Sequence, residues 1–450
     1  MGRIKIPEDV QRVMLLLEIY GFEAYVVGGC VRDSILGLKP HDWDICTSAT
    51  PDEVLAICAE RGVKTIETGL RHGTVTAVID GGSYEITTFR IDGNYSDGRH
   101  PDNVVFTSDL HKDLSRRDFT MNAMAYNEVS GLIDLFGGEK DLSAGIIRCV
   151  GNADARFKED ALRIMRALRF ASRYGFKIDE ATSLAIHRNV SLLKNIAAER
   201  IHWELCATIS GDGALQMLLE YSDVFATIIP ELKPCIGFKQ NNPYHQYTVY
   251  DHIAHAVANY KGNDLSVKVA LLLHDIGKPQ CYTEDEKGGH FYGHSVPSRD
   301  IAGVVLDRLR FDNKTRREVL DLVLYHDSVI EPTPRVVKRW MNKIGSDRLS
   351  QLMCIRLADI QAHTEGTQES RIERCNAVKA IMDDIIAEQQ CFSLKDLEIN
   401  GNDIMDLGIP QGKVIGDMLS YLLCEVISGN LDNRREELIQ AVIERRGCLQ

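Results

Sequence analysis

Two carboxylates one residue apart, Asp42 and Asp44 in HDWDICT, are the strongest candidates for chemistry in this 450-residue chain. They begin an apolar, strand-like run over residues 43–46. In a strand, residues i and i+2 point to one face, so the two carboxylates stand side by side. Like charges that close are costly unless a cation sits between them. Paired oxygen ligands suit Mg2+, which usually takes one or two carboxylates plus substrate phosphates. Two such ions can activate a hydroxyl and steady a leaving pyrophosphate in an in-line displacement. Glu85, in YEITTFR on another predicted strand, can face the same ions, with Arg90 closing the set.

The elements that must position these groups occupy residues 1–150, which read as mixed α/β. The pattern predicts a helix over 7–20, a strand over 24–27 and a helix over 31–36, with further strands at 74–79 and 84–90. Gly28 and Gly29 fall between the first strand and the second helix. Two glycines there let the backbone approach a phosphate closely. Residues 91–109 form a polar stretch too rich in Gly, Asn, Asp and Pro for regular structure.

From Arg156 onward the periodicity is helical almost to the end, with a helix expected over 161–171. Arg163, Arg166, Arg169 and Arg173 recur at spacings of three, three and four, which places them on one stripe. Unpaired, such a stripe repels itself, so phosphate is a natural partner. Asp160 sits at its head, three residues before Arg163. An Asp accepting from an exocyclic amine and an Arg donating to a ring nitrogen would hold the base of CTP or ATP. UTP and GTP would face unpaired groups there, which discriminates strongly in a buried site.

A second constellation lies further on: His252 in YDHIAHA, His274 and Asp275 in LLLHDIGKP, and Asp359 in RLADIQAH. Histidines and aspartates on helices suit a borderline transition metal. His294 and His326 can ligate a second ion, and Lys278 can contact phosphate.

The runs GGCVRDSILG, HDWDICTSATPDEV, YEITTFR, DLSRRDFTMNAMAYN and RFKEDALRIMRALRF together resemble the head and neck of the class II tRNA nucleotidyltransferases. That family also contains bacterial poly(A) polymerases, and the match spans roughly residues 20–205. The resemblance implies that Gly28, Gly29 and Arg32 bind the triphosphate and that Asp42 and Asp44 hold the catalytic Mg2+. It implies too that Arg117 and Asp118 contribute to the nucleotide site, with Asp160, Arg163 and Arg166 beside them. The segment 92–113 matches in position the family's flexible loop, which disfavours CC-only addition. Glu199, Arg200 and Glu204 resemble its supporting neck motif. Residues 240–365 resemble an HD-type metal phosphohydrolase, which implies Ni2+, Mn2+ or Mg2+ on His252, His274, Asp275, His294, His326 and Asp359.

The expected fold class is therefore α+β: a nucleotidyltransferase head with a mixed sheet (1–150), then an all-helical neck (151–240), an HD domain (241–365) and a tRNA-gripping tail (366–450). The expected activity is CCA addition to tRNA from CTP and ATP, with a phosphohydrolase activity beside it. Three alternatives stay open: A-addition only, a poly(A) polymerase, or an HD-domain enzyme whose head merely binds RNA.

Bulk properties agree with this. The 12 cysteines are scattered without a Cys-x-x-Cys pair, which points to reduced thiols in a cytoplasmic protein rather than zinc or disulfides. No run of 18 apolar residues predicts a membrane span, and the opening MGRIKIPEDV lacks a signal-peptide core. A net charge of −13 is unusual for an RNA binder, whose basic surface must then be local. The sequence does not specify an oligomeric state.

Overall fold

Among the described residues, nine strands fall in the first 134 positions: β1 (Ala24–Val27), β2 (Ile45–Thr47), β3 (Lys64–Gly69), β4 (Thr74–Ile79), β5 (Gly82–Thr88), β6 (Arg90–Asp92), β7 (Val104–Phe106), β8 (Met124–Asn127) and β9 (Gly131–Asp134). Seven of them make one sheet in the order β3-β4-β5-β2-β1-β8-β9. Only β2 and β5 run parallel in it; every other neighbouring pair is antiparallel. The interior strand β1, AYVV, between β2 and β8, is buried along its whole length, as a continuous apolar run requires. The helix Pro51–Glu60 follows β2; its capping box, Thr50 with Glu53, and a proline in its first turn fix where it starts. The α+β architecture has the mixed sheet in the N-terminal part and helices after it.

This computed structural model describes residues 4–79, 81–93 and 104–448. The chain divides into two compact units, Met1–Pro230 and Glu231–Gln450. Residues 94–103, inside the polar segment 92–113, lie outside the described residues. The flanks of that segment are regular, contrary to the expectation from composition: β6 and β7 pair antiparallel, and the helix Leu110–Ser115 is capped by Asp109. Cross-strand pairing of Ile91 with Val105 overrides the local turn propensity.

The helix expected over 161–171 is present as Leu162–Tyr174, but the helical pattern from Arg156 onward is not continuous. The backbone breaks at Asp160, between helices Ala153–Glu159 and Leu162–Tyr174. Asp160 is extended there, and its Oδ1 accepts from Leu162 N at 3.0 Å, so an aspartate that reads as a helical face residue caps the next helix instead. Leu162–Tyr174 packs on Ala198–Ser210. Ser172 donates to the Thr208 carbonyl at 2.6 Å, and a Cβ on Gly211 would stand 2.4 Å from that hydroxyl, so only glycine fits the approach.

The arginine stripe also needs correction. Three of its four members are already paired, Arg163 with Glu159 at 2.7 Å, Arg166 with Asp118 at 2.6 Å and Arg169 with Glu204 at 2.7 Å, while Arg173 is exposed and lies over the Tyr174 ring. Three carboxylates from three different elements neutralise most of a row that looks unpaired in sequence.

The second unit is helical except for a hairpin, Thr283–Asp285 with Gly288–His290, strands that the helical periodicity from Arg156 onward does not announce. Its glycines explain it: a Cβ on Gly288 or Gly289 would collide with the Asn241 or Gln240 carbonyl at 2.4 or 2.3 Å. The apolar helix Leu265–Leu273 is buried on all sides and ends at His274. Residues near the end build their own core from Ile404, Met418, Leu422, Leu438 and Val442. No helix of the described residues is long and apolar enough to cross a membrane.

Arg169 and Glu204 form a pair buried on both sides, so removing one partner strands a charge. Arg169→Met is expected to lower unfolding free energy by about 3–5 kcal/mol in denaturant titration, and Arg169→Met with Glu204→Met to recover most of it.

Candidate functional site

Asp42 and Asp44 lie in the extended lead-in to β2 rather than on the strand itself, which starts at Ile45. The Asp44 carbonyl nevertheless accepts from Val27 N at 3.0 Å, which ties it to the end of β1. Ile45 pairs with Ile86, so the preceding residues, Asp44 and Glu85, are adjacent across the parallel β2–β5 seam. The carboxyls sense one another. Glu85 is held above its ordinary pKa by desolvation first, then by Asp44 and Asp42. Asp44 is raised by desolvation and by Asp42, against the pull of Arg117. Asp44 is exposed by surface area; the raised value reflects protein mass crowding one side of its carboxyl rather than enclosure. A cluster of carboxylates that resist ionising together, open to solvent, has the oxygen donors a hard cation takes.

The turn after β1 faces this cluster. Gly28 adopts φ +78°, which favours glycine, and a Cβ there would sit 2.9 Å from Arg117 Nη1. Arg117 is steadied by Asp113 at 3.4 Å, while its Nε is buried without a hydrogen-bond partner. Arg32, next to Gly29, is buried instead: it donates to Asn122 at 2.7 Å and Asp33 at 2.8 Å, over the rings of Phe170 and Tyr174. Asp118 is also committed internally. Its Oδ1 accepts from Phe119 N at 2.8 Å and Asn122 Nδ2 at 3.0 Å, and its Oδ2 from Arg166 Nε and Nη2 at 2.9 and 2.6 Å. Asp118 therefore positions Arg166 and has no lone pair left for a nucleotide in this arrangement.

Asp160 and Arg163 meet through the backbone, where Arg163 N donates to the Asp160 carbonyl at 3.0 Å, but their side chains have separate partners. Asp160 Oδ2 accepts from Arg200 at 3.2 Å. Arg163 donates to Glu159 at 2.7 Å and to the carbonyls of Arg156 and Arg116 at 3.2 and 3.1 Å. Arg90 is engaged by Asp92 at 2.9 Å and by the His72 carbonyl, at the foot of the β6–β7 ribbon.

In the second unit all six metal-ligand candidates converge. His252, His274, Asp275 and Asp359 offer ligand atoms within 4.8 Å of one another, and Asp275, His294 and His326 do the same. Asp275 bridges the two sets. Its Oδ1 faces His294 and His326 Nε2 at 3.1 and 3.5 Å, and its Oδ2 faces His274 and His252 Nε2 at 3.2 and 3.4 Å. Each of His274, His294 and His326 gives Nδ1 to a carbonyl three residues back, at 2.7, 2.8 and 2.7 Å, which aims Nε2 inward. The set fits metal on its own geometry. His274 Nε2 and Asp275 Oδ2 are buried and make no hydrogen bond, although Lys278 Nζ lies 2.7 Å from Oδ2 as an ion pair. Burial opposes charging of His274, yet Asp275 and Asp359 push its pKa up to about 10.

Several residues of these sites escape sequence reasoning. Asp113 is fully buried and holds both Arg116, at 2.7 Å, and Arg117. Asn122 joins Arg32 to Asp118. The rings of His245 and His363 lie 4.3 Å apart, tilted by 43°, beside His252, and Arg371 stands 4.0 Å from Asp359. Asp113 and Asn122 lie inside the run DLSRRDFTMNAMAYN, and His363 ends RLADIQAH, but their partners come from distant segments, so their roles cannot be read from spacing.

Sheet, turn and carboxylate cluster together define a nucleotidyltransferase head. Residues 24–148 match the family model described as "Poly A polymerase head domain", residues 175–236 "Probable RNA and SrmB- binding site of polymerase A", and residues 298–442 tRNA nucleotidyltransferase domain 2. A CCA-adding enzyme of Ligilactobacillus salivarius is 34% identical over 97% of this chain and 96% of its own. One from Geobacillus thermodenitrificans is 50% identical over 95% of both. The crystal structure of a Bacillus stearothermophilus CCA-adding enzyme in complex with CTP superposes with TM-score 0.71 at 28% identity, covering 98% of this chain and 99% of that one. The chain belongs to the CCA-adding enzymes, a family of tRNA nucleotidyltransferases.

The Asp118 cluster generates a pH prediction. Burial opposes its ionisation, but Arg166, Asn122 and Arg163 outweigh that and hold its pKa below the ordinary value. A depressed folded pKa stabilises the fold above the unfolded value of about 3.9, and that contribution drains away as pH falls below it. Urea titrations between pH 5 and 3 should show wild type losing more stability than Asp118→Asn, and equal acid slopes would count against the assignment.

Proposed function

We propose that this chain completes or repairs the 3′-terminal CCA of tRNA from CTP and ATP, releasing pyrophosphate. The observation that carries the reading is the carboxylate cluster of Asp42, Asp44 and Glu85 beside the Gly28 turn, with Arg117 between them. Asp42 and Asp44 are the residues that would hold Mg2+. When bound, such an ion lowers the cost of charge on the attacking and leaving oxygens. The chain's own part is positioning. The left-handed Gly28 leaves room for phosphate against the backbone, and the free Nε of Arg117 offers a donor to its oxygens. Arg32 keeps the turn rigid from beneath, and Asp118 orients Arg166 toward the same side of the neck.

Base selection falls to Asp160 and Arg163. Asp160 presents a carboxylate held by Arg200, so its acceptor direction is fixed. Arg163 has donors committed to Glu159 and the Arg116 carbonyl, so serving a base requires it to exchange one of them. That exchange gives the site a way to turn from cytosine to adenine without a nucleic-acid template. The expected division into head, neck, HD domain and tail accompanies this reading, the last of them gripping the tRNA body. Curated relatives named for CCA addition favour it over A-only or poly(A) synthesis.

The convergence of six ligands in the second unit supports a further reading, a metal-dependent phosphohydrolase acting on damaged tRNA 3′ ends. The N and O donors suit Ni2+ or Mn2+, with Mg2+ less favoured by the imidazoles. A bound ion would supply Lewis acidity and a nucleophilic water. Lys278, buried and held by Gln240 at 3.0 Å, would steady a phosphate oxygen.

Two experiments test these readings. Given tRNA lacking one, two or three terminal nucleotides, the protein should add only the missing residues, and repeated A addition to unrelated RNA would sink the tRNA assignment. Asp42→Ala with Asp44→Ala should reduce incorporation by at least about 10³-fold. For the second unit, Ni2+ or Mn2+ should support phosphate release from a 3′-phosphorylated nucleoside, abolished by chelation and in His274→Ala. Release that survives both would remove the metal assignment.

A further inference from the structure

Four of the six ligand candidates, Asp275, His294, His326 and Asp359, lie at the floor of a cavity of about 600 Å3, and His252 and His274 are fully buried within reach of them. Its volume exceeds what a phosphate alone requires, and its rim differs in chemistry from its floor. On one side the hairpin ends in His290 and Tyr292, whose rings stack with centroids 5.2 Å apart and planes within 13°. Tyr292 is 78% exposed, and Tyr244 across the mouth is 57% exposed. Lys287 and Arg371 also line the cavity.

The aromatic pair is built rather than incidental. His290 Nε2 is 2.9 Å from Asp285 Oδ1 across the hairpin, and Tyr292 Oη reaches His290 Nδ1 at 3.4 Å. The hairpin is in turn clamped: Gly289 N donates to the Asn241 carbonyl at 2.8 Å and Asn242 donates to the Gly289 carbonyl at 3.3 Å. A rigid ring pair carrying an exposed face, next to cations and above a metal-ligand floor, matches a ligand with a flat end and an anionic end. Base stacking on an aromatic face tolerates any base, while Lys287 and Arg371 complement phosphate.

Resting on the phosphohydrolase reading of this cavity, we propose that Tyr292, backed by His290, is a base-stacking platform that makes the second unit prefer phosphomonoesters carrying a nucleobase over base-free ones. The base lies on Tyr292 at the mouth, and the phosphate reaches the floor past Lys278. Tyr292 is a specificity residue and takes no part in bond breaking.

The test uses the full-length protein loaded with Ni2+ and two phosphomonoesters, 3′-AMP and the base-free glycerol 2-phosphate. In Tyr292→Ala the preference for 3′-AMP, as a ratio of kcat/KM values, should fall about ten-fold through KM, and Tyr292→Phe should restore it. An unchanged ratio in Tyr292→Ala would overturn the platform while leaving the hydrolase standing. If the wild type hydrolyses neither ester, the hydrolase reading fails. Calorimetric titration with 3′-AMP then decides the platform alone, with about ten-fold weaker binding in Tyr292→Ala expected and equal binding overturning it. An RNA ending in a 3′-phosphate serves as the second arm. A lower KM than for 3′-AMP assigns the platform to polymer ends, and an equal one to free nucleotides.

Discussion

Asp118 is a carboxylate that has to stay ionised although it is buried, and the geometry of the first unit follows from how that charge is satisfied. Four donors reach it, two from its own loop and two from Arg166 on the neck helix. Asn122 passes the constraint to Arg32, and Arg32 lies beneath the glycine turn against Phe170 and Tyr174 of the same helix. Head sheet and neck helix are thereby joined through charge and ring contacts that tolerate little displacement. Removing water from a charge is costly, so such a network holds only while each member keeps its partner.

The same economy runs along the neck. A protein with net charge −13 has carboxylates to spare, and it spends three of them on Arg163, Arg166 and Arg169. On the proposed reading, what remains for a nucleotide in the neck and beside the glycine turn is the smaller set not consumed internally: the Nε of Arg117, the carboxylate edge of Asp160, and whatever Arg163 releases. A site with few free groups discriminates more sharply than one with many, because each unmatched polar atom on a wrong base is left buried and unpaired.

In the second unit the constraint is the shared Asp275. One carboxylate facing four imidazoles leaves two buried atoms without hydrogen bonds, and in a close-packed interior such atoms are rare. Backbone carbonyls three residues behind His274, His294 and His326 fix all three rings in one direction. His274 and His326 stand at the C-terminal ends of helices, and His294 in the turn that leads into one.

Much of this was legible in the chain itself. Alternating and helical periodicities located the strands and helices, because they depend only on spacing along one element. The paired Asp42 and Asp44, the glycine turn and the six ligand types were visible for the same reason. Tertiary structure decided the rest. It set Glu85 beside Asp44 through a parallel seam forty residues apart in sequence, and it gave the arginine stripe its carboxylates, since Asp118 and Glu204 lie 48 and 35 residues from their partners. It broke the neck helix at Asp160 because a side-chain cap competed with helical continuation. It also brought His245 and His363 to the metal-ligand floor and Tyr292 to its rim. The sequence by itself determined which groups are present and how each element orients them. Which of those groups remain free for chemistry depended on partners from distant segments, because long-range pairing is fixed by packing and charge and not by spacing along the chain.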